Sequence, residues 1–176
     1  MSHGNNFIED HHVINLVIPA ADFAAGDVTT DEVCMSRYNH LAFIVPTGAH
    51  AGSDEIVFTV NSCSSIGAGN TTRIPFRYSY SLGDSLASIN TWSDYATGTA
   101  ANGWETDIAG SSSAGNQTFC IDVDAENLSV TAGVQHEYCS LTMTECASDG
   151  ITGCVIAILS EPRYSTDGSH HQNENA

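Results

Sequence analysis

Three acidic residues at alternate positions are the first feature of this sequence that could do chemistry. Asp122, Asp124 and Glu126 stand where a calcium-binding loop places its opening oxygen ligands. The rest of the loop does not follow, because its sixth position is Asn127 rather than glycine and its twelfth is Gly133 rather than glutamate. The sequence therefore predicts a strand that ends in a turn here, and no calcium site.

The histidines do not form a recognisable metal-binding motif. Two adjacent pairs, His11-His12 and His170-His171, lie near acidic residues, and imidazole is a common ligand of divalent metals. Neighbouring side chains on an extended chain point in opposite directions, so neither pair is arranged to chelate an ion. We expect these to be surface histidines, with no bound metal and no other cofactor.

The six cysteines are spread along the chain without a CxxC pair, which gives little support to a structural zinc site. Segments 137–144 and 153–160 look like the two strands of a hairpin with a turn near Gly150. In that arrangement Cys146 and Cys154 lie nearly opposite each other. The pattern leaves two alternatives, a cross-strand disulfide or two unpaired, buried thiols.

No motif for nucleophilic catalysis appears in the sequence. A reactive thiolate needs neighbouring cations, and the chain has few. There is no G-x-S-x-G nucleophile elbow, and the glycines at 67 and 69 lack the following helix and lysine of a phosphate loop. We therefore expect no catalytic residue and a protein that is not an enzyme.

The charge balance is strongly one-sided, because four arginines, no lysine and 21 acidic residues give a net charge of −17. Nucleic acids and anionic membrane surfaces attract clustered lysine and arginine, so neither is an expected partner. Arg73 and Arg77 are predicted to share one strand face, and Arg163 follows the last predicted strand. These three arginines form either local ion pairs or bidentate pairs with acids of a partner or a second subunit.

The elements that must position these residues are predicted to be β-strands. The expected strands are 12–19, 40–46, 55–63, 73–81, 117–124, 138–144 and 153–160, with a short one around 88–92. About eight short strands, Gly/Ser/Asn turns and no amphipathic helix predict an all-β antiparallel sandwich or jelly roll. We expect an N-terminal arm at 1–33 that contains a candidate first strand, a β-sandwich domain at 34–164, and a flexible polar tail at 165–176.

An apolar run near the N-terminus is a candidate interface. Its apolar residues are Val13, Ile14, Leu16, Val17 and Ile18. The run either forms the first strand of the sandwich or adds a strand to a neighbour's sheet. The sequence leaves these two alternatives open.

Three aromatic residues stand in otherwise polar stretches. They are Trp92, Tyr95 and Trp104. Large aromatic side chains in loops either stack on sugar rings or anchor the loop by packing back on the domain. The first alternative predicts a carbohydrate contact and the second a structural role.

The order of the strand motifs resembles a family of small tailed-bacteriophage virion structural proteins. The strings I-P-F-R-Y at 74–78 and A-I-L-S-E-P-R-Y at 157–164 carry the resemblance, which extends over about residues 38–164. It implies a virion component, and we expect a capsid decoration (cement) protein that binds and stabilises the shell. The chain departs from the family in its acidic, lysine-free composition and in its extra cysteines.

The resemblance also implies partners and a location. The expected partners are the major capsid protein and further copies of the chain, with a homotrimer ahead of a dimer because decoration proteins often sit on symmetry axes. A surface of one charge sign repels the genome, which favours the outer capsid surface. Without a signal peptide or a long apolar run, we expect synthesis in the host cytoplasm and no membrane partner. The alternative is a carbohydrate- or receptor-binding β-sandwich module of a tail or surface appendage.

Overall fold

The computed structural model describes residues 7, 11–20, 23, 26–48, 56–67, 71–81, 92–106, 117–145 and 151–163. The strands in this part of the chain are β1 (His12–Ala20), β2 (Asp27–Thr29), β3 (Val33–Cys34), β4 (Tyr38–Pro46), β5 (Ile56–Cys63), β6 (Thr72–Ile74), β7 (Phe76–Tyr80), β8 (Ala96–Gly98), β9 (Trp104–Glu105), β10 (Thr118–Asp124), β11 (Val130–Thr131), β12 (Val134–Gln135), β13 (Tyr138–Glu145) and β14 (Gly153–Pro162). One short 3-10 helix, Ala125–Asn127, follows β10.

The strands form two antiparallel sheets that pack against each other around one core. The first sheet has the order β1-β14-β4-β10-β7-β8. The second is built on the central pair β13 and β5, with β2 and β3 along one side of β13, and β6 and β9 along the far side of β5. The prediction of an all-β antiparallel sandwich is confirmed.

The core consists of alternate residues from the central strands of both sheets. Its buried side chains include Leu41, Phe43, Val45, Phe119, Ile121 and Val123 from the first sheet, and Ile56, Phe58, Leu141 and Met143 from the second. Successive side chains of a strand point to opposite faces, so the polar residues between these positions lie on the outside. Removing each such large apolar side chain from water contributes roughly 1.5–3 kcal/mol.

The described part of the sandwich has more strands than the roughly eight predicted, and several of the additional ones are only two or three residues long. Pro75 is one reason, because it has no N–H to donate to a ladder and so interrupts the strand predicted at 73–81. Before it β6 pairs with β5 in the second sheet, and after it β7 pairs with β10 in the first. Arg73 and Arg77, predicted to share a strand face, therefore lie in different sheets.

The predicted hairpin between residues 137–144 and 153–160 is wrong. β13 pairs with β2, β3 and β5, whereas β14 pairs with β1 and β4 in the opposite sheet. Each of the two strands has one apolar face. Because they lie in opposite sheets, both faces are buried in the core between the sheets. The register that placed Cys146 opposite Cys154 therefore does not exist. Cys146 lies outside the described residues, and Cys154 is a free, half-buried thiol on β14, so the alternative of an unpaired thiol describes Cys154.

The segment predicted as an N-terminal arm, 1–33, contributes strands to both sheets. β1 joins the first sheet, while β2 and the start of β3 join the second. The predicted strand around 88–91 and the predicted tail at 165–176 lie outside the described residues.

A tight turn before β9 requires a glycine. Thr99 and Gly103 exchange two backbone hydrogen bonds of 3.2 and 2.8 Å. Gly103 has φ 70°, in the left-handed region, and a Cβ there would collide with the backbone carbonyl of Phe58. This turn sets the position of Trp104 against the core.

Candidate functional site

The strand β1 is an edge of the first sheet. It pairs on one side with β14, from His12 opposite Leu159 to Ala20 opposite Gly153, with register shifts on either side of Val17. No strand in the described ranges pairs with its other side. This leaves a row of backbone groups of the kind to which another chain can add a strand.

The apolar run of β1 divides between the core and the surface. Ile14, Leu16 and Val17 are partly buried and pack against the core. Val13 and Ile18 are 43% and 76% exposed. The run therefore forms the first strand of the sandwich and also presents two apolar side chains to solvent.

A cluster of ion pairs joins β4, β10 and β7 on the outer face of the first sheet. His40 Nε2 lies 3.2 Å from Asp122 Oδ1, and His40 Nδ1 lies 3.0 Å from Asp124 Oδ1. Arg77 Nη2 lies 3.5 Å from Asp124 Oδ2. Strand register produces this arrangement, because Asp124 stands opposite His40 and Asp122 opposite Arg77. We call these four residues the His40 cluster.

The charge states within the His40 cluster support one another. The hydrogen bond to Asp122, opposed by burial and helped by Asp124, raises the pKa of His40 to about 9. Burial alone would raise the pKa of Asp122, but hydrogen bonds from His40 and Tyr95 hold it below its ordinary value. At neutral pH the imidazole is charged and donates both N–H groups, and Asp122 stays ionised although its side chain is only 5% exposed.

The chemistry open to the His40 cluster is structural rather than catalytic. Both ring nitrogens of His40 are engaged, so neither is free to take or give a substrate proton. The adjacent thiol of Cys120 is not a nucleophile, because burial and then Asp122 raise its pKa to about 12. Among the described residues, no group of three or more His, Cys, Asp and Glu side chains is arranged to hold a metal ion.

Each of the three arginines predicted as interface residues has a contact within the chain. Arg73 Nη1 donates to the Ala101 carbonyl at 3.4 Å. Arg163 Nε donates to Asn39 Oδ1 at 3.0 Å. Arg77 belongs to the His40 cluster, where its side chain is 54% exposed. All three are surface residues, so these contacts leave part of each guanidinium accessible.

The three aromatic residues predicted as glycan contacts do not share one environment. Trp92 and Tyr95 are 46% and 62% exposed. Arg77 lies over the Tyr95 ring, with 5.7 Å between its Cζ and the ring centroid. Trp104, by contrast, is partly buried and stacks on Tyr78, with 3.8 Å between ring centroids and 9° between ring planes.

Trp104 is the centre of an aromatic group that joins the two sheets. It stands on β9 in the second sheet, and its ring centroid lies 5.6 Å from that of Phe58 in the same sheet. Two rings of the first sheet, Tyr80 and Phe119, lie 5.8 and 5.6 Å away. Pairs at these separations add to the stabilisation that apolar burial provides. The packing alternative predicted for loop aromatics therefore describes Trp104.

A cavity of about 610 Å³ opens at the end of the sandwich where β14 finishes and β13 begins. We call it the end cavity and define it by Asn39, Glu126, His136, Glu137, Glu161 and Arg163. Four of these six side chains carry charge and three are acidic. Glu161 also has φ 56°, a left-handed conformation that is unusual for a residue with a side chain.

A buried serine–histidine pair lies behind the end cavity. Ser62 Oγ and His136 Nδ1 are 2.9 Å apart, and both side chains are at most 1% exposed. Ser62 Oγ also lies 3.3 Å from the Thr72 carbonyl and from the Ser129 amide. Because the hydroxyl donates to the Thr72 carbonyl, His136 does not hold its proton, and the pair is not a catalytic dyad. No described residue is a hydrogen-bond partner of His136 Nε2.

No local sequence feature distinguishes His40 or His136 from the other histidines. His40 belongs to a predicted strand, and the alternation at 117–124 does place Asp122 and Asp124 on one face. The missing information is strand register, which decides that these carboxylates stand beside His40. His136 has no local motif, because its partner Ser62 is far away in the sequence.

Comparison of the chain with family models, with curated proteins and with solved structures found no match. In the described part of the chain, no helix is long and apolar enough to cross a membrane. The fold is therefore established by the chain's own strand pairing, as an all-β sandwich of two antiparallel sheets.

Proposed function

We propose that this chain is a virion structural protein, a capsid decoration (cement) protein that binds the outside of the major capsid shell and stabilises it. The observation that carries the proposal is the edge strand β1, whose second side pairs with no described strand and which exposes Val13 and Ile18. The resemblance of the strand motifs to phage virion proteins supports the same role. So does a site chemistry that is structural rather than catalytic.

In this proposal β1 supplies the contact with the shell. An added strand would satisfy the backbone groups along its open side, and Val13 and Ile18 would be buried against the partner. The acidic surface keeps the protein away from packaged nucleic acid, so the outer face of the shell is the proposed location. Repulsion between acidic copies would require salt for close assembly, and a homotrimer is the proposed first assembly.

Replacing Ile18 with aspartate tests the role of β1. We expect Ile18→Asp to lower the affinity for undecorated capsids by about tenfold or more, because the new charge would be buried in the contact. The measurement is cosedimentation with capsids built from the major capsid protein of the same genome. Thr97→Asp is the matched control, because Thr97 is exposed on β8 at the opposite edge of the same sheet.

Equal binding by both variants and the unchanged protein would contradict the role of β1. Failure of the unchanged protein to sediment with the capsids would contradict the decoration function itself. Unfolding curves for Ile18→Asp and Thr97→Asp show whether a loss of binding results from a loss of folded structure. Both positions are exposed, so both variants should unfold close to the unchanged protein.

A second candidate function is a carbohydrate-binding module, which the exposure of Trp92 and Tyr95 favours. Aromatic faces that remain open to solvent can stack on sugar rings. A glycan-array screen separates the two functions, with Trp92→Ala as the test variant. Binding that disappears in Trp92→Ala would support the carbohydrate module. Absence of any glycan signal, or a signal unchanged by Trp92→Ala, would contradict the carbohydrate-binding function.

A further inference from the structure

His136 has a buried ring nitrogen, Nε2, for which no described residue is a hydrogen-bond partner. His136 lines the cavity and is 1% exposed. Its Nδ1 lies 2.9 Å from Ser62 Oγ, and Ser62 is not among the residues that line the cavity, which leaves Nε2 as the ring nitrogen that can bond to an occupant. Buried polar atoms nearly always have a hydrogen-bond partner, so Nε2 is a place for a water or for a polar atom of an occupant.

Three carboxylates lie around the end cavity. Glu126 lies in the 3-10 helix after β10, Glu137 precedes β13, and Glu161 lies near the end of β14. None of the three forms an ion pair with another described residue. Arg163 is the one cation among the residues that define the cavity, and its Nε donates to Asn39. Three glutamates against one arginine leave the cavity with negative charge.

We propose that the end cavity is a docking socket for a lysine or arginine side chain of the partner protein. The three glutamates would surround the ammonium or guanidinium group, and charge-assisted hydrogen bonds to carboxylates are the strong ones in proteins. His136 Nε2 would complete the site as a hydrogen-bond partner at its inner wall. A volume of about 610 Å³ accommodates such a side chain together with several waters.

The composition of the chain indicates where this cation comes from. The chain has no lysine and only four arginines. All four, Arg37 included, already have contacts within the chain. A basic residue of a different protein is therefore the occupant that the charges fit. The inference rests on the proposed function, since it names the chemistry of the capsid surface that this end of the sandwich meets.

The start of β1 lies beside the same end of the molecule. His12 pairs with Leu159, two residues before Glu161, and its ring makes an edge contact with Tyr38 at 6.4 Å between centroids. Tyr38 immediately precedes Asn39 at the cavity wall. The start of β1 therefore lies near the strand ends that line the end cavity.

A short peptide tests the socket without any capsid. The probe is N-acetyl-Gly-Arg-Gly-amide, and its neutral counterpart carries citrulline in place of arginine. NMR spectra of the histidine side chains report on His136 Nε2 directly. We expect the arginine peptide to shift the His136 Nε2 signal in a saturable, salt-sensitive way, and the citrulline peptide to leave it unchanged.

Three single variants and a control define the result. Each of the three variants should lower the affinity for the arginine peptide by about two- to fivefold, as expected for partly exposed ion pairs. The variants are Glu126→Gln, Glu137→Gln and Glu161→Gln. Glu105→Gln removes an exposed glutamate on β9 that does not line the cavity, and it should leave the affinity unchanged. No shift at His136, equal shifts with both peptides, or equal weakening by Glu105→Gln would overturn the proposal.

The two proposals can fail separately. If the protein sediments with capsids but the peptide leaves His136 unchanged, the socket is wrong and the decoration function stands. If the peptide binds at the cavity but the protein does not sediment with capsids, the cation site is supported and the decoration function is contradicted. If Glu137→Gln weakens the peptide and capsid binding together, both are supported.

Discussion

Replacing Trp104 with alanine is expected to lower the free energy of unfolding by about 3 kcal/mol, the lower end of the range for a large buried aromatic side chain, because Trp104 is partly buried. Trp104 stacks on Tyr78 at 3.8 Å and also contacts Phe58 and Phe119, each at 5.6 Å between centroids. The variant loses these contacts and leaves a cavity where the two sheets meet. Urea unfolding followed by circular dichroism measures the change.

Trp92→Ala is the matched control for this effect. Trp92 is 46% exposed, so its loss should change the free energy of unfolding by less than about 1 kcal/mol. If Trp104→Ala does not fold, Trp104→Phe keeps an aromatic ring and should be destabilised by about 1–3 kcal/mol. Equal, small effects of Trp104→Ala and Trp92→Ala would show that Trp104 does not join the sheets as described.

The second large effect is a pH-dependent loss of stability in His40→Gln. In the folded protein the pKa of His40 is raised to about 9, above its ordinary value of 6.5. A raised pKa means that protonation stabilises the folded state; this contribution is complete below pH 6.5 and disappears as the pH rises through about 9. At pH 6 the free energy of unfolding of the unchanged protein should exceed that of His40→Gln by about 2 kcal/mol. This figure allows for the partial solvent exposure of the imidazole.

The stability difference between these two proteins should fall to less than about 0.5 kcal/mol above pH 9. The measurement is urea unfolding of both proteins at several pH values between 6 and 9.5. His12→Gln is the control, because His12 has no ion pair with another described residue. A constant difference for His40→Gln across this range would contradict a charged His40 between two carboxylates.

Much of the fold could be predicted from the sequence, because strand patterns are local. Apolar and polar residues alternate at 117–124, and the apolar positions Phe119, Ile121 and Val123 lie in the core. The proline at position 75 indicates a break in the strand at 73–81, but the change of sheet depends on pairing with distant strands. That β13 and β14 belong to different sheets could not be predicted either. Each strand has one apolar face, and that face could be buried in either sheet.

The candidate site was less predictable, because its contacts join residues that are far apart in the sequence. The apolar run of β1 was singled out correctly as a strand candidate, although which of its side chains are exposed depends on its pairing with β14. The His40 cluster needs the register of β4, β10 and β7. The end cavity gathers Glu126, Glu137 and Glu161 from three separate elements, and no local pattern connects them.

The most direct test of the proposed decoration function is the heat resistance of undecorated capsids with and without the purified protein. The measurement follows release of packaged or encapsulated material as the temperature rises, at about physiological salt so that repulsion between acidic copies is screened. The account predicts saturable binding and a higher temperature of disruption. Capsids that bind no protein and break at the same temperature, with the folded protein in excess, would contradict it.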